Sequence, residues 1–328
     1  MPSAFVEEKI KSYQPKIVEC LRGAGDILAA RQEMGGKTRG NVPPWPGSGD
    51  GDFHGTLAAI WVWSRAKDLL GDDRFSLPIA SAWTFVESSW SDFIPRSLGA
   101  HASDEAAYDC AMVLRAWLAG DGPYAPLDEE SSRRERVASA ARLLGAYVTD
   151  LEKLDGREFK DPGFLAWTLG EYARAVGDRG LSATARRFVE AAFGMKSPPP
   201  FAAEPAARDG LFDFSCTTAT RVLAVIGAEG PIPFVGAWLR ERVAPAVPPG
   251  LVARPMDENT WNSCAAATLG YAFSVSTDPT FFDAYKSVMD ELDLRAENGA
   301  LGRMSGYSAE TAATFYYAMA SASILGKI

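Results

Sequence analysis

Carboxylates and aromatic rings recur together along this 328-residue chain, each time at the head of an apolar stretch. The run GSGDGDFHGTLAAIWVW at 47–63 sets Asp50, Asp52 and His54 before its apolar half. The run DEAAYDCAMVLRAWLAG at 104–120 opens on Asp104, Glu105, Tyr108 and Asp109. The pattern returns as Asp161, Phe164 and Trp167, as Asp213 and Phe214, as Asp257, Glu258 and Trp261, and as Tyr307 and Glu310. Two chemistries need such a set. A carboxyl kept protonated by burial beside another carboxylate can protonate an apolar polyene, with aromatic faces holding the resulting cation. A carboxylic acid and a second carboxylate flanking a glycosidic bond can instead cleave a sugar chain, with the rings stacking on it. The plainer role, helix capping, accounts for any single acid at about 0.3–1 kcal/mol each. It accounts less well for two or three acids at one terminus.

Other chemistries are excluded. The glycines of GSGDGDFHG lack the Lys of a phosphate loop, and Asp50 and Asp52 would repel phosphate. The net charge of -9 disfavours general binding to nucleic acid or anionic membranes. Cys20, Cys110, Cys216 and Cys264 are widely spaced, which predicts reduced, metal-free thiols. With two histidines in the chain, His54 and His101, no zinc site and no cofactor are expected. The opening residues lack a signal-peptide core and no apolar run reaches bilayer length, so a cytoplasmic protein is expected.

The elements that must position these groups form a repeat. Segments 53–71, 104–120, 161–177, 210–227, 257–275 and 308–326 are apolar nearly all round, start on polar or acidic residues and mostly end at glycine. Segments 6–32, 77–93, 131–154, 182–194, 233–247 and 279–294 carry a narrower apolar stripe and more charge. Apolar-all-round helices are buried and striped ones lie outside them. Six alternating pairs, none able to bury its face alone, predict an all-α (α/α)6 toroid with six inner and six outer helices in one domain over 1–328. The inner helices then run parallel and gather their N-termini at one mouth. The proline-rich stretch 196–210 is expected to be a loop at that mouth.

The segments ILAARQEMGGKTRGNVPPWPGSGDGDFHGTLAAIWVW and LRAENGALGRMSGYSAETAATFYYAMASASILG resemble repeats of the terpenoid cyclase and protein prenyltransferase superfamily. Gln32 and Gly36 match its Q-x3-G-x-W turn, with Thr38 where Trp would stand. Gly299 is kept in the last repeat, whereas Arg295 replaces Gln and Leu301 replaces Trp. The acid motif D-x-D-D-T-A of the cyclases has its nearest counterpart in AAYDCA, which keeps Asp109. The zinc set of the prenyltransferases has no counterpart.

The resemblance implies a small-molecule enzyme that starts cyclisation or isomerisation of a prenyl-type substrate in a central aromatic cavity. Asp109 is then the expected proton donor, Glu105 the neighbour at i−4 that keeps it protonated, and Asp52 a further catalytic acid. Asp50, His54, Tyr108, Trp167, Asp213, Asp257, Glu258, Trp261 and Tyr307 are the expected substrate contacts. Tyr108 and Trp261 are expected to face the cavity. His54 could serve as a base or as a capping side chain. A glycoside hydrolase or lyase using paired carboxylates is the first alternative. A non-catalytic toroid that binds a ligand or partner is the second.

Overall fold

The computed structural model describes residues 4–48, 52–96, 104–120, 131–151, 162–193, 267, 270, 271, 273, 274, 282–296 and 311–325. Among these residues the regular structure is helical, with no strand. The helices are α1 (Ala4–Arg31), α2 (Phe53–Leu70), α3 (Ser76–Ser88), α4 (Trp90–Phe93), α5 (Asp104–Ala119), α6 (Ser131–Leu151), α7 (Pro162–Val176), α8 (Arg179–Phe193), α9 (Phe282–Arg295) and α10 (Thr311–Leu325). A 3-10 turn at Asp73–Phe75 leads into α3.

Side by side, α10, α2, α5 and α7 form the inner layer. Outside them, α1 packs on α2 and α10, α3 on α2, α6 on α5 and α7, α8 on α7, and α9 on α10. This is the (α/α)6 toroid expected from the alternation of apolar and striped segments. The expected helices at 210–227 and 233–247 lie outside the described residues, as does most of 257–275.

The layer each helix occupies follows from its composition. Residues Leu57 to Ser64 of α2 are all buried, which leaves no polar face. Its start is fixed by Asp52, whose Oδ1 accepts from the Gly55 N–H at 2.9 Å, and its end by Gly71 at φ 64°. Small residues in α10 let neighbours approach: Ala313, Ala318, Ala320 and Ala322 are all buried. Where α1 crosses α2, the Trp63 indole N–H donates to the Gly25 carbonyl at 2.9 Å, and a Cβ on Gly25 would meet the Phe75 ring at 2.6 Å.

A polar seam joins the first helix to the late ones. Tyr13 donates to Asp290 at 2.7 Å, and Lys16 pairs with Asp290 at 2.8 Å and Asp293 at 3.0 Å. Burial opposes ionisation of Asp290, but hydrogen bonds from Lys16, Lys286 and Tyr13 outweigh it and hold the carboxyl below its usual range. Tyr317 of α10 donates to Asp293 at 3.1 Å and meets the Cys20 thiol at 2.9 Å. Burial pushes that thiol up to about 11. Residues near the two ends of the chain thereby lie in one contact and close the ring. No helix is long and apolar enough to cross a membrane among the described residues.

Candidate active site

Four inner helices bring residues of their first two turns together at one end of the toroid. From α2 comes His54, whose Nδ1 lies 3.8 Å from Oδ1 of Asp109 on α5. The His54 ring sits 4.7 Å from that of Tyr108, also on α5. Tyr108 stacks on Phe164 of α7 at 4.8 Å, and its hydroxyl is hydrogen-bonded to that of Tyr316 on α10. Phe164 in turn packs edge-on against Tyr316 at 6.1 Å. Contacts among α2, α5, α7 and α10 so close to their starts require these helices to run parallel, as a toroid demands.

Two carboxyls face this cluster. Asp109 is half-buried beside His54. Asp52 is half-buried at the start of α2, and its carboxyl is raised above the usual range chiefly by burial, with a smaller push from the Asp109 charge, against the Gly55 backbone hydrogen bond, the His54 charge and the His54 backbone. Oδ1 of Asp52 caps the helix by accepting from the Gly55 N–H. The adjacent Cys110 thiol is pushed up to about 12, by burial and then by the Asp109 charge, and is no nucleophile at neutral pH.

The loop before α2 holds Asp52 in place. Its backbone N–H donates to Oδ1 of Asn41 at 2.7 Å, and Val42 N–H donates to Oγ1 of Thr56 at 2.9 Å. Gly40 makes that loop possible: its φ is 93°, and a Cβ there would lie 2.1 Å from the Ser81 carbonyl oxygen. Gln32 ties the same turn to the outer layer, donating to the carbonyls of Gly40 and Pro78 at 3.2 and 2.9 Å. Gln32 therefore braces a turn rather than touching the mouth.

Deeper along α5, Arg115 is 5% exposed. Its guanidinium covers the Trp167 ring at 3.2 Å, donates to Thr168 at 3.0 Å and pairs with Glu171. The Trp167 indole N–H donates to Glu171 at 2.7 Å. Among the described residues, a charged and aromatic network thus lies between α5 and α7 below their first turns.

Of the residues expected at the site, the structure groups Asp52, His54, Tyr108 and Asp109. Glu105 starts the same helix but is exposed, while the Asp109 charge acts on Asp52. Trp167 is fully buried, its face covered by Arg115. Asp50, Asp213, Asp257, Glu258, Trp261 and Tyr307 lie outside the described residues. The sequence reading missed Tyr316 and Arg115. Arg115 left a signal, a single charge inside the apolar run AMVLRAWLA. Tyr316 left only its place in FYY, since its partner lies 208 residues away. No group of three or more His, Cys, Asp or Glu poised to hold a metal occurs among the described residues.

No family model matches the sequence, and no curated relative matches it. Solved structures do match in fold. An inactive variant of alpha-1,6-mannanase of Salegentibacter sp. HEL1_6, with two consecutive aspartates replaced by asparagine and alpha-1,6-mannotriose bound, has a TM-score of 0.56 at 10% identity, covering 94% of this chain and 99% of that one. The unsaturated glucuronyl hydrolase of Bacillus sp. GL1 has a TM-score of 0.53 at 13% identity, covering 92% and 94%. These similarities correct the resemblance to terpenoid cyclases and prenyltransferases: the toroid is shared with sugar-cleaving proteins. The reading of a prenyl cyclase or isomerase falls with it. The described part of the mouth agrees, since hydroxyls, carboxyls and an imidazole stand beside its rings, and the aromatic face of Trp167 is already occupied by a cation.

Proposed function

We propose that this protein is a glycoside hydrolase acting on a neutral oligosaccharide at the mouth of the toroid. The observation that carries the proposal is the placing of Asp52, a carboxyl raised above its usual range by burial, near Asp109, a second carboxyl beside an aromatic wall. In this reading Asp52 Oδ2 gives its proton to the glycosidic oxygen as the C–O bond breaks. Asp109 acts on the anomeric carbon from the other side, directly or by taking a proton from the attacking water. Water supplies the hydroxyl that the new reducing end gains and the proton that restores Asp52. His54 orients Asp109, and the hydroxyls of Tyr108 and Tyr316 offer hydrogen bonds to sugar hydroxyls.

Charge favours a neutral glycan over a uronic acid. The Asp109 carboxylate would repel a substrate carboxylate, and among the described residues the basic group set against it is His54. The likeness to an alpha-1,6-mannanase supports an oligosaccharide substrate, and this chain departs from it in one respect. Its only consecutive aspartates, Asp72 and Asp73, sit at the 3-10 turn, where Asp72 pairs with Arg74 at 2.8 Å. The acid pair here is instead drawn from two inner helices.

The test is a panel of neutral oligosaccharides, including α-1,6-mannotetraose, alongside unsaturated glucuronyl oligosaccharides, with release of new reducing ends as the readout. The wild-type chain should cleave a neutral member, and Asp52→Asn and Asp109→Asn should each lower the rate by about 10²–10⁴. Cleavage of no member, or cleavage that survives both substitutions, contradicts the reading.

A further inference from the structure

Trp45 has no part in the chemistry above, yet it is 52% exposed on the loop that builds the mouth. A single exposed aromatic is ordinary on a protein surface. This one is held at the rim by unusual means. Proline precedes and follows it in the sequence VPPWPG, which disfavours the helical region for its backbone. On one side the loop is fastened to the start of α10: the Pro43 carbonyl accepts from the Thr311 hydroxyl at 2.7 Å and the Pro44 carbonyl from the Thr311 N–H at 2.8 Å. On the other side Asn41 and Val42 fasten it to Asp52 and Thr56 at the start of α2. Trp45 therefore stands between the helix starts that carry Asp52 and Tyr316. Tyr316 is five residues into α10, about 7.5 Å of helix rise from Thr311.

We propose that Trp45 is the stacking platform of an outlying sugar subsite, so that the protein grips an oligosaccharide chain rather than a disaccharide. The inference rests on the glycoside hydrolase reading. A large apolar ring needs little further ordering here, because the prolines and the two anchors fix its backbone before any ligand arrives. Its face can cover the C–H surface of a sugar unit while the hydroxyl edge stays in water. The class of ligand is a neutral glycan of three or more units that continues from the cleaved bond toward the 41–48 loop.

The experiment compares wild type, Trp45→Ala and Trp45→Phe. Calorimetric binding of α-1,6-mannotetraose and α-1,6-mannobiose is measured, together with cleavage of the neutral oligosaccharide that the wild-type chain hydrolyses fastest. Trp45→Ala should weaken tetrasaccharide binding and raise KM roughly tenfold, with kcat and disaccharide binding little changed, and Trp45→Phe should restore most of the loss. If Trp45→Ala cleaves and binds the long saccharide as wild type does, or loses both ligands equally, the subsite is refuted while the hydrolase reading stands. If the wild-type chain neither binds nor cleaves any saccharide, both fall together.

Discussion

At the scale of single residues, the account turns on Asp52. Asparagine caps a helix about as well as aspartate, so Asp52→Asn should preserve the bond to Gly55 while removing a carboxyl that burial and Asp109 disfavour as an anion. The sign follows from linkage. A carboxyl whose folded pKa lies above its unfolded value binds more protons in the native state, so its contribution is present below the unfolded value, about 3.9, and is lost as pH rises through the folded one. Relative to wild type, Asp52→Asn should therefore be more stable at about pH 8 than at about pH 4, as read by urea denaturation at both. A variant whose relative stability falls with rising pH would contradict the assignment of Asp52 as the strained acid. The sequence made Asp52, His54, Tyr108 and Asp109 legible as candidates because acids and rings recur at helix starts. It made Asp109 the expected proton donor, whereas the proposal above gives that role to Asp52, because the burial that raises the Asp52 carboxyl is not visible in sequence. Nor could it pair Tyr108 with Tyr316, a contact made only when the ring closes.

At the scale of elements, apolar periodicity carried most of the information. The inner segment expected at 53–71 forms Phe53–Leu70, and that expected at 308–326 forms Thr311–Leu325. The outer segment expected at 77–93 is broken into α3 and α4 at Ser89, where the Ser88 hydroxyl donates back to the Phe85 carbonyl at 2.9 Å and competes with helix continuation. The start of α8 falls earlier than expected because Asp178 accepts from the N–H groups of Gly180 and Leu181 at 2.9 and 3.0 Å. Caps of this kind are visible in sequence only when the competing starts are weighed one by one. The loop that positions Asp52 yields a sharper test. Gly40→Ala adds both a left-handed backbone penalty and a clash with the Ser81 carbonyl, and should cost at least about 2 kcal/mol. Activity should fall with it, because the same turn sets Asn41 against Asp52. An unchanged denaturation midpoint would show that the turn can relax without that cost.

At the scale of the whole molecule, the toroid and the chemistry separate. The sixfold alternation fixed the architecture but was shared by prenyl and sugar chemistries, so the Gln32 and Gly36 likeness led toward the wrong one. What distinguishes them is the character of the mouth, a property of four helix starts meeting in space. Here they assemble hydroxyls, carboxyls and an imidazole beside their rings, and among the described residues Arg115, Trp167 and Glu171 form a charged network below them. The most direct measurement is a crystal structure of Asp109→Asn soaked with α-1,6-mannotetraose. The account predicts a sugar chain across the mouth, with a glycosidic oxygen within about 2.6–3.2 Å of Asp52 Oδ2 and a ring against Tyr108. Saccharide bound away from Asp52 and Tyr108, or a mouth that stays empty at saturating ligand, would contradict it.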